Sequence, residues 1–212
     1  MEERRYSKIK SVAYRRQGNL TVLLNNVHDP HNIGAVLRTC DSIGIKEIYV
    51  LNTDESIDKN NLVLGKKSAA SARKWVDTFY YTNVEKCIAD IREKYEFIYG
   101  THLDSQAVSL YDLDMKKSVA LVFGNEHAGI SDEVMKHLDG NFIIPQVGMV
   151  QSLNISVAVA VTLYEAYRQR SGKGYYKDNP TMTLEDKNTL LEDYINRHNE
   201  RYKGRLMQDR RS

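Results

Sequence analysis

Residues 20–51 read LTVLLNNVHDPHNIGAVLRTCDSIGIKEIYVL, and the order of the apolar patterns within them decides the fold. Leu20 to Val27 is a short apolar run, which predicts a buried strand. The polar loop His28 to Asn32 follows. From about Ile33 to Ile43 the spacing predicts a helix, stopped by Gly44. Lys46 to Leu51 is a second apolar, strand-like run. A strand, a helix and a second strand in this order predict a parallel α/β sheet with helices on both faces.

The alternation continues outward. Strands are expected at Trp75 to Tyr81, Phe97 to Leu103, Val119 to Phe123 and Asn141 to Pro145. Asn83 is placed to cap a helix running to about Lys94, and Ser131 a short one running to about Leu138. Ser152 to Arg170 reads as a long helix rich in small residues. Upstream, Arg4 to Gln17 carries Ile9, Val12 and Ala13 at helical spacing, ended by Gly18-Asn19. Downstream, the hinge Ser171 to Tyr176 and Pro180 lead to Thr183 and Asp186, an N-cap pair. The helix they open runs to about Tyr202 with an apolar stripe of Leu184, Leu190, Leu191, Tyr194 and Ile195. The basic tail, Lys203 to Ser212, reads as frayed.

The formal net charge of +2 conceals a segregation. Residues 1–17 carry +4, residues 168–212 carry +4, and the stretch between them carries −6. Basic ends on an acidic middle suggest a polyanion held by the termini; a solvated helical surface is the plainer alternative. Hydrophobic residues make up 42% of the chain, enough for a real core, which argues against disorder. Cys40 and Cys87 are far apart in apolar patterns and read as buried free thiols of a reducing compartment. The charged start is unlike a signal peptide, and no apolar run nears the roughly 20 residues that span a bilayer. A cytoplasmic protein with no membrane partner is expected.

Three segments carry residues suited to chemistry. Ligands of open α/β sheets bind beyond the carboxyl ends of strands, where the loop before Ile33 sits. There Asn32 is placed either to cap the helix or to meet a ligand. Arg38, among Ala35, Val36 and Leu37, calls for a partner: an anion held by its donor fork, or Asp41 three residues on. In FGNEHAGIS (123–131), two glycines bracket Glu126 directly after a strand, and glycine permits close backbone approach to a ligand. Glu126 suits a base, a ribose or Arg38; a solvated turn is the alternative. In IIPQVGMVQSLNIS (143–156), Ser152 and Asn154 open an apolar helix, either as caps or as ligand donors. His28 and His31 lack the further ligands a metal needs, so no metal is expected. The glycine fingerprints of nucleotide-binding loops are absent.

Together HNIGAVLRTCDSIGI, LVFGNEHAGIS and IIPQVGMVQSLNISVAVAVTLYEAYRQR resemble the three motifs of the SpoU/TrmH branch of the SPOUT RNA 2′-O-methyltransferases. The resemblance covers residues 20–170. The N-terminal YSKIKSVAYRRQGNLTVLLNNV and the basic C-terminal part look most like members that methylate guanosine 18 of the tRNA D-loop. The resemblance implies a Rossmann-like, mostly parallel sheet with a C-terminal trefoil knot, a rare exception to unknotted topology. It divides the chain into a basic RNA-contacting helix (1–18), the methyltransferase domain with its knot (19–170) and a basic helical RNA-contacting extension (171–212). It implies S-adenosylmethionine as cofactor, held by Thr101, Gly124, Ile144 and Leu153; tRNA as substrate; and a homodimer with the active site at the subunit interface. It gives Arg38 the catalytic role, with Asn32, Glu126, Ser152 and Asn154 beside it. RNA contacts would fall to Arg4, Arg5, Lys8, Arg15, Arg16, Arg168 and Arg170. Lys8 stands where the family often has an arginine, and lysine lacks the bidentate fork. Another tRNA position, ribosomal RNA, or a non-catalytic RNA-binding role on the same fold are the other readings.

Overall fold

The computed structural model describes residues 1–53, 71–126, 128–150 and 152–200, and the backbone of 206–208. The chain runs α1 (Glu3–Arg15), β1 (Leu20–Asn25), α2 (Pro30–Ile43), β2 (Glu47–Leu51), β3 (Asp77–Tyr81), α3 (Val84–Arg92), β4 (Phe97–Thr101), β5 (Val108–Ser109), β6 (Val119–Phe123), α4 (Asp132–Met135), β7 (Gly140–Ile143), α5 (Ile155–Gly172), α6 (Leu184–Asn199) and β8 (Leu206–Gln208). Every strand pairing is parallel, in the order β5-β7-β4-β6-β1-β2-β3-β8.

β1 lies inside the sheet because all six of its residues are buried, and both edges pair: Leu20 opposite Val119, Leu23 opposite Tyr49. Alternate side chains feed two cores. Leu20, Val22 and Leu24 meet α2 and α5 through Val36, Leu37, Val159 and Leu163. Leu23, Tyr49 and Val122 meet α3 and α4 through Cys87, Ile91 and Val134. The parallel sheet with helices on both faces is therefore as the sequence predicts. Cys40 and Cys87 are free and buried, and burial pushes both thiols well above their ordinary range. Among the described residues no helix is long and apolar enough to cross a membrane.

Boundaries move for local reasons. β1 stops at Asn25 because Asn26 turns the chain at φ 55°. α2 begins at Pro30, earlier than expected: Asp29 accepts the His31 N–H at 2.8 Å and proline fits the first turn. Asn32 is therefore inside the first turn and is not the cap. α5 begins at Ile155 because Asn154 caps it, accepting from the Ser156 N–H at 2.9 Å. Ser131 precedes α4 without making a side-chain cap bond. Thr183 and Asp186 form a full capping box on α6. β8 was not predicted; it pairs with β3 within the tail expected to fray, most of which lies outside the described residues.

Two arginines assigned to RNA are instead internal ties. Arg16 is fully buried. Its guanidinium donates to Asp41 Oδ1 (2.5 Å), Tyr194 Oη (2.9 Å), the Ile45 carbonyl (2.8 Å) and the Trp75 carbonyl (3.1 Å). It pins α1, packed on α6 through Ile9, Ala13, Leu191 and Tyr194, to the end of α2. Arg170, also fully buried, donates to the carbonyls of Met115 (2.8 Å) and Lys117 (2.8 Å), to Asn19 Oδ1 (2.7 Å) and to Gln17 Oε1 (3.1 Å). Basic residues at a chain end look alike in sequence whether they face solvent or close a seam. Arg4, Arg5, Lys8, Arg15 and Arg168 are exposed.

Arg170→Ala leaves several buried acceptors without a donor. It is expected to lower unfolding stability by about 3 kcal/mol or more. Urea denaturation measures this, and a loss below about 1 kcal/mol contradicts the role as a tie.

Candidate active site

β7, β4 and β6 are neighbours, so their carboxyl ends deliver three loops to one place. Thr101 ends β4, Gly124 follows β6, and Ile144 follows β7. These three and Leu153 line a single cleft of about 830 Å³. Phe123, Phe142, Ile155 and Ala158 form its apolar floor; Asn125, Glu126, Gln146 and Ser152 add polar edges. The volume falls in the range of small-molecule sites, roughly 300–1,000 Å³. All four residues expected to hold the cofactor thus meet in one cleft.

The loop after β6 is closed by its backbone. Asn125 N–H donates to the Gly129 carbonyl and Gly129 N–H to the Asn125 carbonyl, each at 2.9 Å. A side chain at Gly124 would place its Cβ 2.2 Å from the Gly129 carbonyl oxygen, and Gly129 itself sits at φ +71°. The loop therefore depends on both glycines. Asn125 anchors it, its Nδ2 donating to the Asn26 carbonyl at 3.1 Å.

Beyond this loop three side chains form a relay. Asn154 Nδ2 donates to Asn32 Oδ1 (3.3 Å), and Asn32 Nδ2 donates to Glu126 Oε1 (2.6 Å). Residues separated by up to 122 positions thus join, one from each motif segment. Asn154 holds α5 with the other side of its amide, so one residue both caps the helix and orients Asn32. Both readings of Asn154 are correct at once. Glu126 is exposed at the mouth of the cleft, and Ser152 lines the cleft without a place in the relay.

Arg38 stands apart. It is exposed on α2, and among the described residues its guanidinium makes no hydrogen bond or ion pair. The apolar context in sequence was misleading, because Val36 and Leu37 turn inward while Arg38 turns out. Asp41, its suspected partner, is taken by Arg16. Arg38 does not touch the relay.

Sequence reading missed His102, Leu103 and Val150 of the cleft wall. The one signal was apolar character in a loop: Val147, Met149 and Val150 are all exposed. Among the described residues no three His, Cys, Asp or Glu side chains gather as a metal site. His31 rests against Asp29 at 3.1 Å.

Residues 19–164 match the model of the SpoU rRNA Methylase family. The tRNA (guanosine(18)-2′-O)-methyltransferase of Thermus thermophilus is 38% identical over 193 residues, covering 91% of this chain and 96% of that protein. The crystal structure of the TrmH/SpoU tRNA modifying enzyme of A. aeolicus superposes with TM-score 0.80 at 31% identity, covering 93% of this chain and 97% of that one. The AdoMet-bound rRNA methyltransferase from Sinorhizobium meliloti superposes with TM-score 0.59 at 30% identity, covering 73% and 59%.

Gly124→Ala is expected to open the loop and cost about 1–3 kcal/mol of stability. Amide exchange at Asn125 and Gly129 reports it directly. Unchanged protection at both amides refutes the backbone clash.

Proposed function

This chain belongs to the SpoU methylase family, and we propose that it transfers a methyl group from S-adenosylmethionine to the ribose 2′-hydroxyl of guanosine 18 in the tRNA D-loop. One observation carries the choice of substrate. The relative that acts on tRNA guanosine 18 matches 91% of this chain, whereas the rRNA methyltransferase structure covers only 73%. Residues 19–164 are common family ground, so the additional match takes in parts of the terminal helices.

The cleft fits the cofactor. Its apolar floor suits an adenine ring and its edges offer hydroxyl, amide and backbone groups. Thr101, Gly124, Ile144 and Leu153 are the residues assigned to it. When bound, S-adenosylmethionine supplies an electrophilic methyl on a sulfonium, which needs no metal to activate it. The protein's own contribution is then positioning and proton management. Glu126, oriented by Asn32 and Asn154, faces the mouth of the cleft and suits a ribose hydroxyl or a base edge. Arg38, exposed and without a partner among the described residues, offers its fork to an RNA phosphate beside the reacting hydroxyl. A guanidinium with a pKa above about 12 is a poor base. Arg38 therefore fixes the phosphate against the hydroxyl, and as the methyl leaves the sulfonium for the 2′-oxygen the hydroxyl proton passes by way of a phosphate oxygen to solvent water. Ser152 is assigned to the same site.

In this reading the segment after β7 forms the trefoil knot, and the protein is a cytoplasmic homodimer. Exposed Val157, Tyr164 and Tyr167 on α5, with Val147 and Met149 in the preceding loop, support a second copy as what covers this face. Tyr164 Oη lies 3.4 Å from Ser42 Oγ, one turn beyond Arg38 on α2, so the dimer face runs up to Arg38. The terminal segments 1–18 and 171–212 contact RNA, with Arg4, Arg5, Lys8 and Arg15 in the first and Arg168 on α5 just ahead of the second. A closed-up cleft or broken relay would favour a non-catalytic role; neither is present.

Labelled methyl transfer to unmodified tRNA, followed by site mapping, tests the reading; label at a nucleotide other than guanosine 18 overturns the assignment. Arg38→Lys keeps charge but loses the fork, and a rate drop of about 10²-fold is expected. Wild-type rate in that variant removes Arg38 from the reaction.

A further inference from the structure

We propose that the hollow between α1, Trp75 and α6 is a subsite for one backbone phosphate of the RNA, lined by Arg5 and Lys8, with Lys74 on the Trp75 ring and His198 beside it. The proposal rests on the reading of the chain as a tRNA methyltransferase and adds residues that no motif of the sequence marks.

The hollow is a cavity of about 130 Å³ with Arg5, Lys8, Trp75 and Tyr194 in its wall. Trp75 is held edge-on to Tyr194 with ring centres 5.2 Å apart. The Arg5 guanidinium carbon lies 5.9 Å from the Trp75 ring centre and the Lys74 Nζ lies 5.0 Å from it. One indole therefore gathers two cations brought from positions 69 residues apart in the sequence. His198, on the last turn of α6, is within electrostatic reach of Arg5 and Lys74. Desolvation, then the charges of Arg5, Lys74 and the amino terminus, hold its pKa below the ordinary value. Lys74 is lowered in the same way, by desolvation and then by Arg5.

Among the described residues these charges have no internal counter-ion. The carboxylates nearby are committed: Asp41 to Arg16, and Asp77 and Asp193 to Arg197. Among the described residues, Arg5, Lys8, Lys74 and His198 have no carboxylate within ion-pair distance. Like charges held together repel, and an entering phosphate converts that repulsion into attraction. RNA is favoured over a free anion by location. Asp41 lines the hollow one helical turn after Arg38, and Asn32 lies nine residues back along α2, about 14 Å away. A chain seated in the hollow continues along α2 to the relay.

The test is equilibrium binding of unmodified tRNA against KCl concentration, for the wild type, Lys74→Gln, Lys74→Arg and His198→Gln. The Lys74 side chain makes no hydrogen bond among the described residues; its backbone does, the N–H donating to the Ser71 carbonyl at 3.0 Å and the carbonyl accepting from Arg197 at 3.2 Å. Lys74→Gln should therefore fold, and thermal melting checks this. The expected result is tRNA affinity about fivefold weaker and a log–log salt slope smaller by about 0.7–0.9, with Lys74→Arg retaining both. His198→Gln, an independent change on another element, should weaken binding below its pKa and not above it. A salt slope unchanged in both Lys74→Gln and His198→Gln overturns the subsite. So does inorganic phosphate stabilising the wild type, but not Lys74→Gln, while tRNA affinity is unaffected, because the site then serves a free anion. Methyl transfer with an unchanged slope removes only the subsite. A Lys74-dependent slope without methyl transfer removes only the enzymatic reading.

Discussion

Arg170 is a cation sealed in the protein with neutral oxygens as its hydrogen-bond partners. Burial lowers its pKa to about 10, yet at neutral pH it stays charged and needs every acceptor around it. Those acceptors belong to two separate stretches, Gln17 and Asn19 before β1 and Met115 and Lys117 before β6, while Arg170 itself stands near the end of α5. The amino ends of two adjacent sheet strands are thereby fastened to the end of the helix whose beginning carries Asn154. A buried guanidinium is weak support for stability in general, because desolvation offsets much of what its bonds return. Its value here is geometric. It fixes α5 along its length, and the position of Asn154 relative to Asn32 follows from that.

Arg16 does the corresponding work for the terminal helices. α1 and α6 pack on each other through Ile9, Ala13, Leu191 and Tyr194, and Arg16 joins Arg197 on Asp77 and Tyr194 on the Trp75 carbonyl in tying the pair to the body of the protein. Trp75, Tyr194 and Asp41 are locked around the Arg16 guanidinium, and they form part of the wall of the hollow on the other side. A carboxylate that would otherwise neutralise Arg5, Lys74 or Arg38 is consumed inside the fold. One internal ion pair thus leaves the outward cations uncompensated.

The sequence made the sheet legible because a strand covered on both faces has to be continuously apolar, and few other structures require that. β6 is placed to the residue for this reason. Errors concentrate where side-chain chemistry, not periodicity, sets a boundary: Asp29 moves the start of α2, and Asn154 moves the start of α5. β5 and β8 escaped because they are two and three residues long and leave no pattern. The same limit explains the arginines. Charge alone cannot separate Arg15, exposed on the last turn of α1, from Arg16, buried, since the helix ends between them and Arg16 continues in extended backbone.

The site shows a second kind of limit. Asn32, Glu126 and Asn154 were each ambiguous between capping or turn chemistry and ligand chemistry, and local sequence offers no way to choose. The structure makes the choice unnecessary for Asn154, whose amide oxygen caps α5 while its amide nitrogen holds Asn32. A cap is rigid because it belongs to a helix end, so using it to orient a polar neighbour places that neighbour at little additional entropy cost. Glu126, at the far end of the relay, is on a glycine-closed loop with few alternative shapes. Arg38 is the contrast: a long side chain, exposed and without a partner among the described residues, on a surface continuous with the apolar face of α5. The relay groups are held by the fold, and Arg38 faces outward. In the reaction proposed above, where the nucleophile arrives on a large RNA, Arg38 is the group with room to adapt to the incoming chain.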